Sequence, residues 1–138
     1  MFSTIVVGTD GSQTARRAVV VAAGLAREFH AKLHVVYGSV EPQFGPDRPG
    51  LPADSPWHGA REAILDDVLA DPSLDGLDTQ SHVVALPAPE AIVRVAAEIG
   101  ADLIVVGNRG LTRGRSEDSV PMMVAVAAPC HVLIAKTT

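Results

Sequence analysis

The chain has 138 residues, of which 47% are hydrophobic and 20% are charged, a composition typical of a packed globular protein and unlike that of disordered chains. Eleven basic against sixteen acidic side chains give a formal net charge of −5, which disfavours nucleic acid as a partner because its phosphate backbone is also negative. The sequence contains no run of about 18 apolar residues, the length that a membrane-spanning helix needs, so we expect no membrane association.

The amino-terminal residues and the single cysteine, Cys130, predict a cytoplasmic protein. The sequence has no basic start and reaches Asp10 before an apolar segment of signal-peptide length could form. One cysteine cannot form a disulfide within the chain, which is compatible with a reducing compartment. We read Cys130 as a packed thiol.

The first half of the chain predicts a strand, a helix and a second strand. A β-branched run at 5–7 is stopped by Gly8 and the turn that follows it, a pattern typical of a buried strand. Ser12 is suited to cap a helix whose apolar residues recur at three- and four-residue steps to about residue 29. The apolar run at 33–37 predicts the second strand. Residues 41–56 hold five of the ten prolines, so we expect an irregular loop there.

The second half continues the alternation. We expect a helix from Trp57 to near Asp71, a strand at 81–85, a helix that begins at Pro89 and stops before Gly100, and a strand at 103–106. A long loop, a helix at 119–128 and a last strand at 131–135 complete the chain.

This alternation of strands and helices predicts one α/β domain over residues 1–138, with a mostly parallel, doubly wound sheet and helices on both faces. In such sheets ligands bind beyond the carboxyl ends of the strands. Two loops that leave strand ends therefore become candidate site segments: Thr9-Asp10-Gly11-Ser12 and Gly107-Asn108-Arg109-Gly110.

Asp10 directly follows the first strand. A carboxylate in this position could accept hydrogen bonds from a ribose or an adenine amino group, or hold a metal-associated water. The alternative is that Asp10 only caps the first helix, although Ser12 can already do so.

The second candidate segment suits an anion. Glycines at Gly107 and Gly110 let backbone amides approach a ligand closely, and a helix opens further along. Free amides, a hydroxyl and three arginines could converge on a phosphate; the residues concerned are Arg109, Arg113, Gly114, Arg115, Ser119 and Val120. The alternative is a solvated surface loop whose glycines only turn the chain.

Other chemistries lack support. The sequence has neither a Walker lysine signature nor a G-x-G-x-x-G pattern. The five histidines fall on separate elements without zinc-ligand spacing, and no nucleophile elbow places a serine. We therefore predict no catalytic residue and no metal.

Three segments carry a family resemblance, which spans nearly the whole chain except 41–56. They are Val6-Val7-Gly8-Thr9-Asp10-Gly11-Ser12, Asp102-Leu103-Ile104-Val105-Val106-Gly107-Asn108-Arg109-Gly110, and Ser119-Val120-Pro121 through Ala128-Pro129-Cys130-His131-Val132-Leu133-Ile134. With the order of elements, they resemble the universal stress protein family.

The resemblance implies a Rossmann-like, adenine nucleotide alpha hydrolase-like fold with a five-stranded sheet in the order 3-2-1-4-5. It also implies a homodimer that pairs the last strands, here His131 to Ala135. In nucleotide-binding members the family's Asp contacts the adenosine half, which carries over to Asp10. The glycine-rich loop holds ribose and phosphates, which carries over to Gly107, Gly110 and Ser119.

This sequence departs from the nucleotide-binding pattern G-x2-G-x9-G-[S/T]. Only seven residues follow Gly110 before the matching position, which is Asp118, and two missing residues shorten the reach of the loop by up to about 7 Å. A carboxylate about 4 Å from a phosphate charge would cost about 4 kcal/mol at an effective dielectric near 20. Leu86-Pro87 replaces the usual glycine turn, which predicts a narrower cleft there.

The leading hypothesis is a non-catalytic stress-response module that binds ATP or another adenine nucleotide. AMP or cyclic AMP, which carry fewer phosphates than ATP, would suit the shortened loop better. Other proteins would read its nucleotide occupancy or dimer state. The alternative is a degenerate family member that binds no nucleotide and acts as a dimeric protein-interaction module. A slow nucleotide hydrolase is the third hypothesis.

Overall fold

A computed structural model describes residues 1–40, 59–112 and 119–138. The proline-rich segment at 41–56 and the predicted helix start at Trp57 lie outside the described residues. So do Arg113, Gly114, Arg115 and Asp118 of the second candidate segment.

In the part of the chain that the structure describes, five parallel strands form one sheet in the order β3-β2-β1-β4-β5. The order and the parallel direction confirm the fold predicted from the sequence. The strands are β1 Thr4–Gly8, β2 Lys32–Gly38, β3 Thr79–Val84, β4 Leu103–Gly107 and β5 His131–Ala135.

Within the described ranges, four helices connect these strands: α1 Gln13–Phe29, α2 Ala60–Leu69, α3 Ala88–Ile99 and α4 Val120–Ala127. Short 3₁₀ turns follow α2 at Pro72–Leu74 and β4 at Arg109–Thr112. Among the described residues, no helix combines the length and apolar character that a membrane crossing requires.

Most predicted boundaries agree with the structure to within one or two residues. The prediction placed the start of β3 at Ser81, but β3 begins at Thr79, which pairs with Leu33 of β2. The start of β3 is polar, so the apolar pattern in the sequence did not include it. A strand at the edge of a sheet need not be apolar on both faces.

The sheet separates two layers of core. Side chains alternate across a strand, so Ile5 and Val7 of β1 pack in the layer with α1 and α2, whereas Val6 packs with α3 and α4. All three side chains are fully buried. This double burial explains why the central strands are continuous apolar runs, and it leaves the strand ends as the place for polar groups.

Candidate functional site

A cavity of about 260 Å³ opens where β1 and β4 end. These two strands are neighbours in the sheet, although the chain places two other strands between them, and such a crossover point is where doubly wound sheets bind ligands. The walls comprise Gly8, Thr9, Asp10, Ser12, Thr14, Ala15, Val36, Ala88, Ile92, Val106, Gly107, Arg109, Val120, Pro121 and Thr137.

The turn after β1 is fixed by its own hydrogen bonds. The Thr9 amide donates to the Val36 carbonyl at 2.9 Å, and Asp10 Oδ1 accepts from the Ser12 amide at 2.9 Å. Ser12 Oγ accepts from the Ala15 amide at 3.2 Å and caps α1. Ser12 is thus the capping residue, which leaves Asp10 Oδ2 to face other partners.

Asp10 meets Arg109 across the cavity. Arg109 donates from Nη2 to Asp10 Oδ2 at 3.4 Å and from Nη1 to Thr14 Oγ1 at 3.4 Å. Partial burial opposes ionisation of Asp10, but hydrogen bonds from Ser12 and the charge of Arg109 outweigh it and hold the pKa of Asp10 below its usual value. The site therefore presents a carboxylate and a guanidinium at neutral pH.

Two glycines let the cavity wall pack closely at the strand ends. A Cβ on Gly8 would lie 2.4 Å from Ile92 Cδ1, and one on Gly107 would lie 3.1 Å from Thr137 Oγ1. Both distances are shorter than ordinary van der Waals contacts. Any side chain at these positions would displace a neighbouring wall residue.

Asn108 is hydrogen-bonded to the residues that follow β5 and does not itself line the cavity. Its Oδ1 accepts hydrogen bonds from the Thr137 amide at 2.8 Å and from the Thr138 amide at 3.2 Å. Thr137 is itself a wall residue and only 3% exposed. Asn108 therefore supports the wall through a neighbour.

The helix α4 contributes its first turn. Ser119 caps the helix, its Oγ accepting from the Met122 amide at 3.4 Å, and Val120 and Pro121 line the cavity. The capping bond gives Ser119 a structural role besides the phosphate contact predicted for it.

Comparison with known proteins agrees with this geometry. The model of the Universal stress protein family matches residues 1–136. The chain belongs to this family. A universal stress protein of Thermus aquaticus is 36% identical over 140 residues, which are 99% of this chain and 100% of that protein.

Two solved structures are similar over nearly their whole length. A universal stress protein in complex with cAMP is 35% identical, has a TM-score of 0.78, and is matched over 99% of this chain and 98% of its own. The universal stress protein of Archaeoglobus fulgidus in complex with dAMP is 25% identical, with a TM-score of 0.63 and 98% of each chain matched. The resemblance drawn from the sequence motifs is confirmed.

The structure brings part of the predicted set together. Five predicted residues are in the cavity wall: Thr9, Asp10, Gly107, Arg109 and Val120. Asn108 and Ser119 support that wall, Gly110 belongs to the 3₁₀ turn after β4, and Arg113, Gly114 and Arg115 lie outside the described residues. In this universal stress protein, direct nucleotide contact by any of them stays a prediction.

The wall residues outside the predicted site set include Thr14, Val36 and Thr137. The strand order points to two of them. Val36 is near the end of β2 and Thr137 follows β5, and these two strands are the neighbours of β1 and β4 in the sheet. In the described part of the chain, no three His, Cys, Asp or Glu side chains form a group that could hold a metal ion.

Proposed function

We propose that this universal stress protein binds an adenine nucleotide in the cavity at the ends of β1 and β4. The observation that supports this most directly is that charged and apolar side chains line the same cavity. Asp10 offers an ionised acceptor and Arg109 a cation at the same cavity mouth, while the interior is apolar. A nucleotide carries the complementary groups: hydroxyl and amino donors, an anionic phosphate and an aromatic base.

The apolar part of the cavity suits the base. Val36, Ile92 and Val106 line it, and all three are almost fully buried. Removing the faces of an adenine from water against such side chains is favourable, at about 25 cal/mol per Å² of apolar surface. The exocyclic amino group and the ribose hydroxyls would then find Asp10 as their acceptor.

The charged part suits a small phosphate group. Arg109, just after β4, and the first turn of α4 both line the cavity. The described walls enclose about 260 Å³, less than the roughly 300–1,000 Å³ typical of ligand pockets. Together with Asp118 and the shortened loop in the sequence, this favours AMP or cyclic AMP over ATP. The cAMP and dAMP complexes of similar proteins support the same ligand class.

Titration calorimetry with cyclic AMP, AMP, ADP and ATP tests the proposal, with cyclic GMP and GMP as controls for the base. We expect binding of the adenine monophosphates, weaker binding of ATP, and weaker binding of the guanine nucleotides. Ligand at 100 times its dissociation constant stabilises the fold by about 2.7 kcal/mol, so the melting temperature should rise by several degrees. No heat and no thermal shift with any nucleotide at millimolar concentration would refute the proposal.

We propose further that the module is non-catalytic and that its nucleotide occupancy is read by a partner protein. No catalytic group is needed for that role, because binding alone shifts the population of states that a partner recognises. Sustained release of phosphate that Asp10→Ala abolishes would instead support a hydrolase. The cytoplasmic location stays a prediction.

We also propose a homodimer through β5. This strand is at one end of the sheet order, and an edge strand offers backbone groups for pairing with a second chain. Ile134 on β5 is 38% exposed and Val126 on the neighbouring α4 is 82% exposed. Apolar side chains exposed beside a strand edge are suited to burial against a second copy.

A further inference from the structure

The segment that follows β5 closes one side of the cavity. This post-β5 segment is Lys136, Thr137 and Thr138. Ala135 pairs with Gly107 at the end of the β4–β5 ladder, and the chain then passes beside Gly107 so that Thr137 enters the cavity wall. In the described part of the chain the β4–β5 ladder ends at Ala135, and side chains make hydrogen bonds that hold the residues after it.

Asn108 supplies most of these contacts. Its Oδ1 accepts from the Thr137 amide at 2.8 Å, the Thr137 hydroxyl at 3.1 Å, the Thr138 amide at 3.2 Å and the Thr138 hydroxyl at 3.4 Å. Arg17 of α1 donates from Nη1 to the Thr137 carbonyl at 2.7 Å. All three polar groups of Thr137 are therefore hydrogen-bonded.

This arrangement leaves Asn108 Oδ1 without capacity for a ligand. A carboxamide oxygen has two lone pairs, whereas four donors from the post-β5 segment already surround Asn108 Oδ1. A ribose hydroxyl or a water could approach it only by displacing one of these donors, and losing the bond from the Thr137 amide would leave a part-buried donor without its partner.

We infer that Asn108 is a positioning residue, which holds the post-β5 segment as a wall of the nucleotide cavity, and that Thr137 is the residue of this segment that contacts the ligand. The identity of the ligand in this inference rests on the proposed function, but the hydrogen bonds between Asn108 and the post-β5 segment are present without any ligand. The inference assigns to Asn108 an indirect role in place of the direct contact expected from its position in the Gly107–Gly110 loop.

The chemistry of the contact suggests matched variants. Asn108→Leu keeps the approximate size of the side chain and removes the acceptor. Asn108→Asp keeps an oxygen that can accept from all four donors, so it should keep the hydrogen bonds to the post-β5 segment. Gln80→Leu makes the same kind of change at an exposed amide on β3, far from the cavity, and serves as the control.

The first measurement uses the protein without nucleotide. Amide hydrogen exchange read by NMR should show protection at Thr137 and Thr138, because their amides donate to Asn108. We expect exchange at both residues to be at least about tenfold faster in Asn108→Leu, the factor that corresponds to about 1.4 kcal/mol. Asn108→Asp and Gln80→Leu should leave it within about threefold of the parent rate.

The second measurement is the affinity for AMP and for adenosine by calorimetry. Asn108→Leu should weaken both by about tenfold, the effect of losing one ordered wall contact. Asn108→Asp should restore adenosine affinity, since adenosine carries no phosphate for the new carboxylate to repel. Gln80→Leu should change neither.

Two results would overturn the inference. Unchanged exchange at Thr137 in Asn108→Leu would show that Asn108 does not hold the segment. Faster exchange with unchanged adenosine affinity would show that the segment is not part of the ligand site. If the parent protein binds no nucleotide, the proposed function fails, and the ligand contact of Thr137 fails with it. The exchange measurement then still decides whether Asn108 holds the post-β5 segment in place.

Discussion

Arg109 Nη2 lies 3.4 Å from Asp10 Oδ2, and this ion pair joins the turn after β1 to the turn after β4 across the cavity mouth. Both side chains are well exposed, at 42% for Arg109 and 55% for Asp10. Exposed ion pairs contribute about 0–1 kcal/mol to stability. The pair therefore matters more for the charge pattern that a ligand meets than for holding the fold together.

The first prediction concerns Asp10. Asp10→Asn keeps the size of the side chain and removes its negative charge, so hydrogen bonds from ribose hydroxyls or the adenine amino group become weaker. We expect AMP affinity to fall by about tenfold, since a hydrogen bond to a charged group is worth about 1.5–3 kcal/mol and a neutral one about 1 kcal/mol. Calorimetry measures the affinity.

Thermal unfolding separates this effect from damage to the fold. Because Asp10 is exposed and Ser12 caps α1, the melting temperature of Asp10→Asn should stay within about 2 °C of the parent value, as is usual for surface changes. The control is Asp67→Asn, which alters the exposed ion pair between Asp67 of α2 and Arg16 of α1. An Asp10→Asn protein with undiminished AMP affinity would contradict the assigned role.

The sequence was sufficient to predict the strand order once the motifs were recognised, and also the position of Asp10 and Gly107 at neighbouring strand ends. The strand order came from the resemblance to the family, whereas the positions of Asp10 and Gly107 depend on local signals: an apolar run, then a glycine, then a polar turn. Thr137 has no such local signal, because its role comes from packing beside Gly107, which is distant in the sequence. The role of Asn108 depends on the same packing.

The second prediction concerns the turn after β1. Gly11 has a φ of +82°, and a Cβ there would lie 2.6 Å from Ile64 Cγ2. An alanine in the left-handed region costs about 1–2 kcal/mol. Gly11→Ala should therefore lower the melting temperature by roughly 3–8 °C, as measured by calorimetry.

Gly24 is the matched control for this change. It is inside α1, and a Cβ there would meet nothing within 4 Å. Gly24→Ala should stabilise the protein by about 0.5–1 kcal/mol because alanine favours the helix. Equal effects of the two substitutions would mean that the backbone of Gly11 does not need its positive φ.

The third prediction is a loss of stability in mild acid. His34 Nδ1 lies 2.9 Å from His82 Nε2 between β2 and β3. Burial lowers the pKa of both imidazoles, and for His34 the neighbouring His82 lowers it further. Asp78 opposes the shift at His34 and Glu98 opposes it at His82, while Lys32 adds to it at His34.

The sign of the pH effect follows from these directions. An unfolded histidine takes up a proton near pH 6.5, whereas the folded pair does so only at lower pH. The unfolded state binds more protons in that interval, so the free energy of unfolding should fall as the pH drops below about 6.5. The lowered carboxyl pKa values of Asp10, Asp71 and Asp102 act only below about pH 5.

Urea unfolding at pH 7.5 and pH 5.5 measures this difference. His82→Gln should make the difference smaller, because it removes one of the two paired imidazoles whose pKa is lowered. His30→Asn is the control: His30 is exposed at the left-handed end of α1, with φ 53°, a conformation that asparagine tolerates. The idea fails if His30→Asn flattens the pH dependence as much as His82→Gln does.

The fourth prediction tests the dimer. Two neighbouring apolar residues of β5 differ in their surroundings: Leu133 packs against the core of α1 and α2, whereas Ile134 is 38% exposed. Ile134→Glu should therefore weaken association by at least about tenfold, since burying an unpaired charge costs several kcal/mol, while the monomer stays folded. Val20→Glu, at an exposed apolar residue of α1, should leave association unchanged. Sedimentation equilibrium gives both association constants, and a parent protein that sediments as a monomer would end the dimer proposal.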